Sequence, residues 1–170
     1  ELAAIGIYEI TFDDSKKKNE TYYINTNQTF TYDADAGTVT ATYGNATPKA
    51  HADTLWTAQD ETDGKGTEGE VATRGLKYNF IKTIKAQAAG ILQDTDWYIL
   101  RKADADTDVP SAITTFRAAV RTKAAAMETL ITNASNTAAI ETLYTYVNTA
   151  DEGDPVVMAR PLGEFPELGS

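Results

Sequence analysis

The chain has 170 residues, of which 42% are hydrophobic and none is cysteine, and its formal net charge is -10. That length suits one compact domain or two small ones, and the lack of cysteine excludes disulfides, thiolate catalysis and zinc–thiolate sites. The acidity opposes general nucleic-acid binding, which needs a basic footprint, and no apolar run approaches the ~18 residues of a membrane span.

Residues 1–45 read as a small antiparallel β domain. The opening Glu1-Leu2-Ala3-Ala4-Ile5-Gly6 lacks the basic region and cleavage pattern of a signal peptide. Without an initiating Met, it is expected to be a processed or incomplete N-terminus. Over Ile5 to Phe12 the alternation of Tyr8, Ile10 and Phe12 marks a half-buried strand. Asp13 to Glu20, with three consecutive lysines, is a polar turn, and Tyr22-Tyr23-Ile24 adds a short strand. Thr29–Tyr32 and Thr38–Tyr43 flank Asp33-Ala34-Asp35-Ala36-Gly37, so β-favouring threonines and tyrosines surround an Asx and glycine turn: a hairpin. The edges of such a sheet need cover from a partner or from the rest of the chain.

Residues 46–73 read as a loop or linker. Pro48 and the glycines at 64, 66 and 69 interrupt regular structure. Six acids against Lys65 give residues 51–70 a net charge of -5. A short helix is expected around His51 to Ala58, anchored by Leu55 and Trp56. His51, the single histidine, has no strand-turn nucleophile near it in sequence and is read as a loop residue. Gly64-Lys65-Gly66 is too short and too acidic in its surroundings for a phosphate loop. The sequons at Asn19, Asn45 and Asn133 are what a threonine-rich chain gives by chance.

Residues 74–150 read as a three-helix domain. Leu76, Phe80, Ile84, Ala88 and Leu92 recur every four residues. A second stripe follows Pro110, whose fixed φ suits a first turn, with Ile113, Phe116, Val120, Ala124, Met127 and Ile131. A third, capped at Asn136 or Thr137, carries Ile140, Leu143, Tyr144 and Val147 and is expected to run from 136 to 149. Such stripes bury one another in a small bundle or against a partner chain. Nine basic and six acidic residues give 71–132 a net charge of +3, which faces either an acidic partner or the chain's own acidic segment.

Between the first two stripes lie two acidic clusters. Asp104, Asp106 and Asp108 alternate like the opening of an EF-hand loop, but Val109 and Thr115 stand where the glycine and the bidentate glutamate belong. They read as a solvated loop capping the next helix. In Asp94-Thr95-Asp96-Trp97, Trp97 is large enough to seal an interhelical turn, and the polar residues can bond exposed backbone N–H groups. Arg117 and Arg121, four apart on one helix, can reach Asp94, Asp96 or the 104–108 loop. Asp96, Trp97, Phe116, Arg117 and Arg121 thus form either an internal latch or, through the arginines, a partner-facing pair.

Residues 151–170 read as an extended C-terminal arm, apolar but broken by three prolines. It docks along its own fold or onto a neighbouring subunit, with Val157, Leu162, Phe165 and Leu168 as candidate partner-binding residues. No catalytic, metal or cofactor site is expected, since no nucleophile–base pair, phosphate loop or complete calcium loop occurs.

The pattern Leu92…Thr95-Asp96-Trp97…Pro110…Phe116-Arg117-Ala118-Ala119-Val120-Arg121 resembles that of bacteriophage tail-fibre assembly proteins: an apolar helix, a Thr-Asp-Trp turn, and a helix with aromatic-Arg-x-x-apolar-Arg. The resemblance covers about residues 70–130. Ile5-Gly6-Ile7-Tyr8 and Tyr32-Asp33 extend it to the β region of some members over 1–45. It implies that Trp97, Phe116, Arg117 and Arg121 take the corresponding structural positions. It also implies a non-enzymatic role in a virion tail or baseplate, with tail, fibre or baseplate proteins as partners, and self-association, but neither nucleic acid nor membrane insertion. A transient fibre-assembly chaperone is the alternative, and a carbohydrate-active tail enzyme comes third. The added segment 136–149 and the proline-rich arm depart from a simple chaperone and suit permanent incorporation in the particle. The partner surface is expected on the β edges and the arm.

Overall fold

A computed structural model describes residues 6–26 and 28–169; the expected start of the first strand at Ile5 lies outside them. The fold is α+β and divides into two compact units, residues 1–49 and 50–170.

The first unit is a β structure. Strand β1 (Ile10–Asp13) is followed by β2 (Tyr23–Ile24), β3 (Thr29–Asp33), β4 (Thr38–Thr42) and β5 (Thr47–Pro48). β3 and β4 form the expected antiparallel hairpin. Its turn is held by Asp33, whose Oδ1 accepts from the Asp35 and Ala36 amides at 2.9 and 3.0 Å. Gly37 closes it at φ +63°, a conformation that penalises any Cβ. β1 joins the other side of β4 in parallel, giving the order β1-β4-β3, so this sheet is mixed and not purely antiparallel. Alternation settles which face a side chain takes but leaves the partner strand and its direction open. β2 and β5 form a separate antiparallel pair. Among the described residues of this unit, the buried apolar ones are Tyr22, Tyr23 and Ala41.

The second unit begins with β6 (Thr54–Leu55), α1 (Ala58–Thr62) and β7 (Val71–Thr73). Residues 50–73 are therefore part of a folded unit and not a linker. The Leu76 and Lys77 amides donate to the Ala50 and His51 carbonyls at 3.0 Å each, and Asp53 bonds the Gly75 amide at 2.8 Å and Arg74 at 2.6 Å. Gly75 is required by this closeness, since a Cβ there would lie 2.3 Å from the Ala52 carbonyl group. The helix expected over His51–Ala58 starts only at Ala58. Thr57 is its N-cap, in a capping box with Asp60, and Leu55 instead pairs with Val71 across the β6–β7 ribbon.

The helical layer contains α2 (Leu76–Gln93), α3 (Asp96–Ala105), α4 (Ser111–Asn133) and α5 (Thr137–Tyr144). The stripes of α2 and α4 meet as expected, and Ile84, Ala88, Val120, Ala124, Met127 and Ile131 form the buried cluster. Asn136 caps α5, its Oδ1 accepting from the Ala139 amide at 2.9 Å. Two corrections follow. Residues 96–105 add a helix where a turn was expected, and α5 ends at Tyr144, short of 149. Beyond it the backbone is extended at Thr145, so that β8 (Val147–Asn148) pairs antiparallel with β9 (Met158–Ala159) from the C-terminal segment.

That segment docks on its own unit. The Leu162 amide donates to the Leu143 carbonyl at 3.0 Å, and its side chain is fully buried in the α2–α4 cluster with Phe165 packed against it. The turn Arg160-Pro161-Leu162-Gly163 aims it there, closed by the Gly163 amide on the Arg160 carbonyl at 2.9 Å.

Candidate functional site

The residues singled out between α2 and α4 come together around the Arg117 guanidinium. Helix α2 ends with unsatisfied carbonyls, as every helix does. Arg117 Nη1 donates to the Leu92 carbonyl at 2.8 Å and to Thr95 Oγ1 at 2.6 Å, and the Thr95 hydroxyl itself donates to the same carbonyl at 2.9 Å. Arg117 Nη2 reaches Asp96 Oδ1 at 2.8 Å. A cation at a helix C-terminus also complements the helix dipole. Thr95 and Arg117 are both buried, while Asp96 is about half exposed. The latch is therefore internal, and it works on carbonyls: the turn's polar side chains serve the C-terminal end of α2 instead of bonding free N–H groups. Thr95 is buried beside the guanidinium at its centre, a role the sequence reading did not give it.

The remaining members take other places. Trp97 is 48% exposed and does not seal the turn. It stacks on Tyr98, ring centroids 3.8 Å apart, with the Arg101 guanidinium 5.1 Å from its ring. Its position at the start of α3 sets this: α3 buries none of its residues, so its apolar side chains Trp97, Ile99 and Leu100 stay outside. Phe116 is half-buried against the core cluster. Arg121 is exposed, with no hydrogen bond or ion pair among the described residues; it lies about 80° from the centre of the α4 stripe at 100° per residue. Asp94 does not meet the arginines.

The 104–108 carboxylates turn back on their own helix. Lys102 Nζ lies 2.7 Å from Asp106 Oδ1 and 2.9 Å from Asp108 Oδ1, so the loop caps the end of α3 and not the start of α4. The hydrogen bonds that Lys102 donates to Asp106 and Asp108 raise its pKa, and the bond accepted from Lys102 lowers that of Asp108. Asp106 takes the left-handed conformation at φ +49° that ends the helix. No group of three or more potential metal-ligating side chains is assembled among the described residues.

Beside the latch lies an open cleft of about 790 Å³ between α2, Phe116 and the C-terminal segment. Ile91, Phe116 and Phe165 supply apolar lining, and Gln87, Asp94 and Glu167 supply polar lining. One wall is built by a cluster that the sequence reading missed. Arg160 pairs with Glu164 at 2.7 Å, Tyr146 donates a hydrogen bond to the same carboxylate, and the Arg160 guanidinium lies 5.5 and 5.4 Å from the Tyr144 and Tyr146 rings. Burial pushes the Glu164 carboxyl up, but the Tyr146 hydrogen bond and Arg160 outweigh it and its pKa is lowered. The same hydrogen bond raises the Tyr146 pKa. The i,i+4 spacing of Arg160 and Glu164 was the available signal. This arrangement can seat an apolar side chain of a partner, the charges of Arg160 and Glu164 being spent on one another.

Of the four arm residues, Leu162 is core and not free for a partner, Phe165 is half-buried against it and gives its remaining surface to the cleft, and Val157 and Leu168 remain exposed. His51 is half-buried and offers its backbone carbonyl to the Lys77 amide. Among the described residues, no helix is long and apolar enough to cross a membrane. Comparison with family models, curated proteins and solved structures gives no match to this chain.

Proposed function

We propose that this chain is a non-enzymatic bacteriophage tail or baseplate protein that joins neighbouring tail or fibre components in the virion. The observation that carries the reading is the Arg117 latch. The Thr95, Asp96 and Arg117 positions through which the chain resembles the tail-fibre assembly family meet in one hydrogen-bonded knot, which ties α2, α3 and α4 together. A motif conferring catalysis would hold a reactive group at its centre; here the centre is a guanidinium consumed by a helix terminus. Exposed apolar side chains around this unit, Trp97 and Leu100 on α3, Val157 just before β9 and Met158 in it, suit burial against other proteins.

The deciding measurement is quantitative protein analysis of purified particles of the phage that encodes the chain. A fixed copy number per particle is expected, and absence from the particle would sink the structural reading. The family resemblance itself favours a second reading, a transient fibre-assembly chaperone. Under that reading, co-expression with the fibre gene raises the yield of soluble fibre, and unchanged solubility would count against it.

A further inference from the structure

The three-stranded sheet of the first unit has two faces of opposite chemistry. Its register sets Ile10, Val39 and Tyr32 side by side in one row, and Phe12, Ala41 and Phe30 in the next row on the same side. The opposite side is threonine and aspartate throughout: Thr11, Thr40 and Thr31 in one row, Asp13, Thr42 and Thr29 in another. Apolar residues on one side of a sheet ordinarily face a core. Here the side chains on the two outer strands stand in solvent, Phe12 66%, Phe30 61%, Tyr32 51% and Ile10 45% exposed. Tyr8 continues the row, its ring 4.7 Å from that of Tyr32.

We propose that this face packs against the same face of a second copy of the chain. Sheets with apolar inner faces stack about 10 Å apart with their side chains interdigitated. Aromatic side chains bury roughly 150–250 Å² each. At the exposures above, the four residues and their margins leave about 500 Å² per copy, so a pair removes about 1,000 Å², the lower limit for a specific interface. Charge selects the arrangement. The hairpin end of the sheet carries Glu9, Asp33 and Asp35 and no cation, whereas at the other end of β1 Lys16, Lys17 and Lys18 offset Asp13, Asp14 and Glu20, Lys17 pairing with Glu20 at 3.4 Å. A face-to-face pair needs a two-fold axis lying between the sheets. An axis along the strands would stack the two acidic ends on each other. An axis across them sets each acidic end over its partner's charge-balanced, lysine-bearing end, and this is the arrangement that avoids like-charge stacking.

Sedimentation equilibrium of the full chain, from low micromolar to roughly 0.5 mM, tests this directly. The expected result is a concentration-dependent rise from 18.4 kDa toward twice that mass. F12E and F30E, on the outer strands where the new carboxylate meets water, are expected to remain monomeric, and T31E on the threonine face to dimerise like the parent. Should both phenylalanine variants misfold by circular dichroism, the charge variants decide. E9K/D35K is expected to weaken self-association about tenfold and to regain it when mixed with K16E/K18E. A mass of 18.4 kDa across the whole range overturns the proposal and leaves the face to a different protein. So does an association that neither F12E nor E9K/D35K alters. Neither result bears on virion copy number, so this inference and the tail assignment fail separately.

Discussion

Arg117 stands where α4's apolar stripe would otherwise place an aliphatic side chain, between Ile113 and Val120, and the guanidinium is tolerated there because three acceptors receive it. Its Nε is buried without a partner, so the site is built around the two terminal nitrogens. Removing the side chain lets the half-exposed Asp96 rehydrate, so the full penalty of a stranded buried charge does not arise. What is lost is the bonding of the Leu92 carbonyl and Thr95 hydroxyl and the packing of the arginine stem. R117A is therefore expected to destabilise the second unit by about 2–3 kcal/mol. W97A is expected to cost only about 1–1.5 kcal/mol, because the roughly 3–5 kcal/mol of a large aromatic truncation requires a fully buried ring. Urea denaturation of both variants decides the order, and a larger loss for W97A would mean that Trp97, not Arg117, holds the turn. The pairing of Arg117 with Asp96 was legible from residue types and spacing. The half-exposed Trp97 was not, because an aromatic's size says how much it can bury and not whether anything covers it.

Among the elements, what repeats could be read and what does not repeat could not. α2, α4 and the start of α5 announce themselves by Ile84, Ala88, Val120, Ala124, Met127 and Ile140 at helical spacing, and these are buried. α3 carries no such stripe, since it buries nothing, and so it passed for a turn. The docking of Leu162 escaped for a related reason: an extended segment shows apolar residues without a period that tells which neighbour receives them. The strands β6 to β9, of two or three residues each, are below the length at which alternation is a signal. α1 shows how local chemistry starts a helix without packing, since none of its residues is buried. Asp60 Oδ2 accepts from the Thr57 hydroxyl at 2.7 Å and from the Thr57 amide at 3.0 Å, and Lys65 lies 3.0 Å from Oδ1. Hydrogen bonds from the Thr57 side chain and then its backbone, ahead of that from Lys65, lower the Asp60 pKa from 3.8 to about 2. A carboxyl whose folded pKa lies below its unfolded value stabilises fully above the unfolded value, and that contribution fades as pH falls from 3.8 through about 2. An NMR titration should therefore place the Asp60 midpoint near 2. T57V should move it back toward the ordinary value further than K65A does; the reverse order would make the ion pair, not the cap, the dominant cause.

At the scale of the whole chain, the division after Lys49 separates two units of unequal means. Residues 50–170 hold the continuous cluster of α2 and α4 with Leu162 and Phe165 from the C-terminal segment, and the ribbon of β6 and β7 is tied to α2 through Asp53 and Gly75. Among the described residues up to Lys49, Tyr22, Tyr23 and Ala41 are the buried apolar side chains, and four large ones on the sheet stand in solvent. A chain of that size is close to the limit at which burial offsets conformational entropy without disulfides, metal or association. Cutting between Lys49 and Ala50 should thus give fragments that behave differently. Residues 50–170 are expected to retain the helical circular dichroism and to melt in one cooperative transition, since the core and its covering segment are all present. Residues 1–49 at low micromolar concentration are expected to show no cooperative transition, and to gain one as concentration rises if the apolar sheet face finds its own kind. A 1–49 fragment that melts cooperatively and independently of concentration would show that the hairpin, the Asp33 turn and the buried tyrosines suffice, and that the exposed face is not needed to complete the fold.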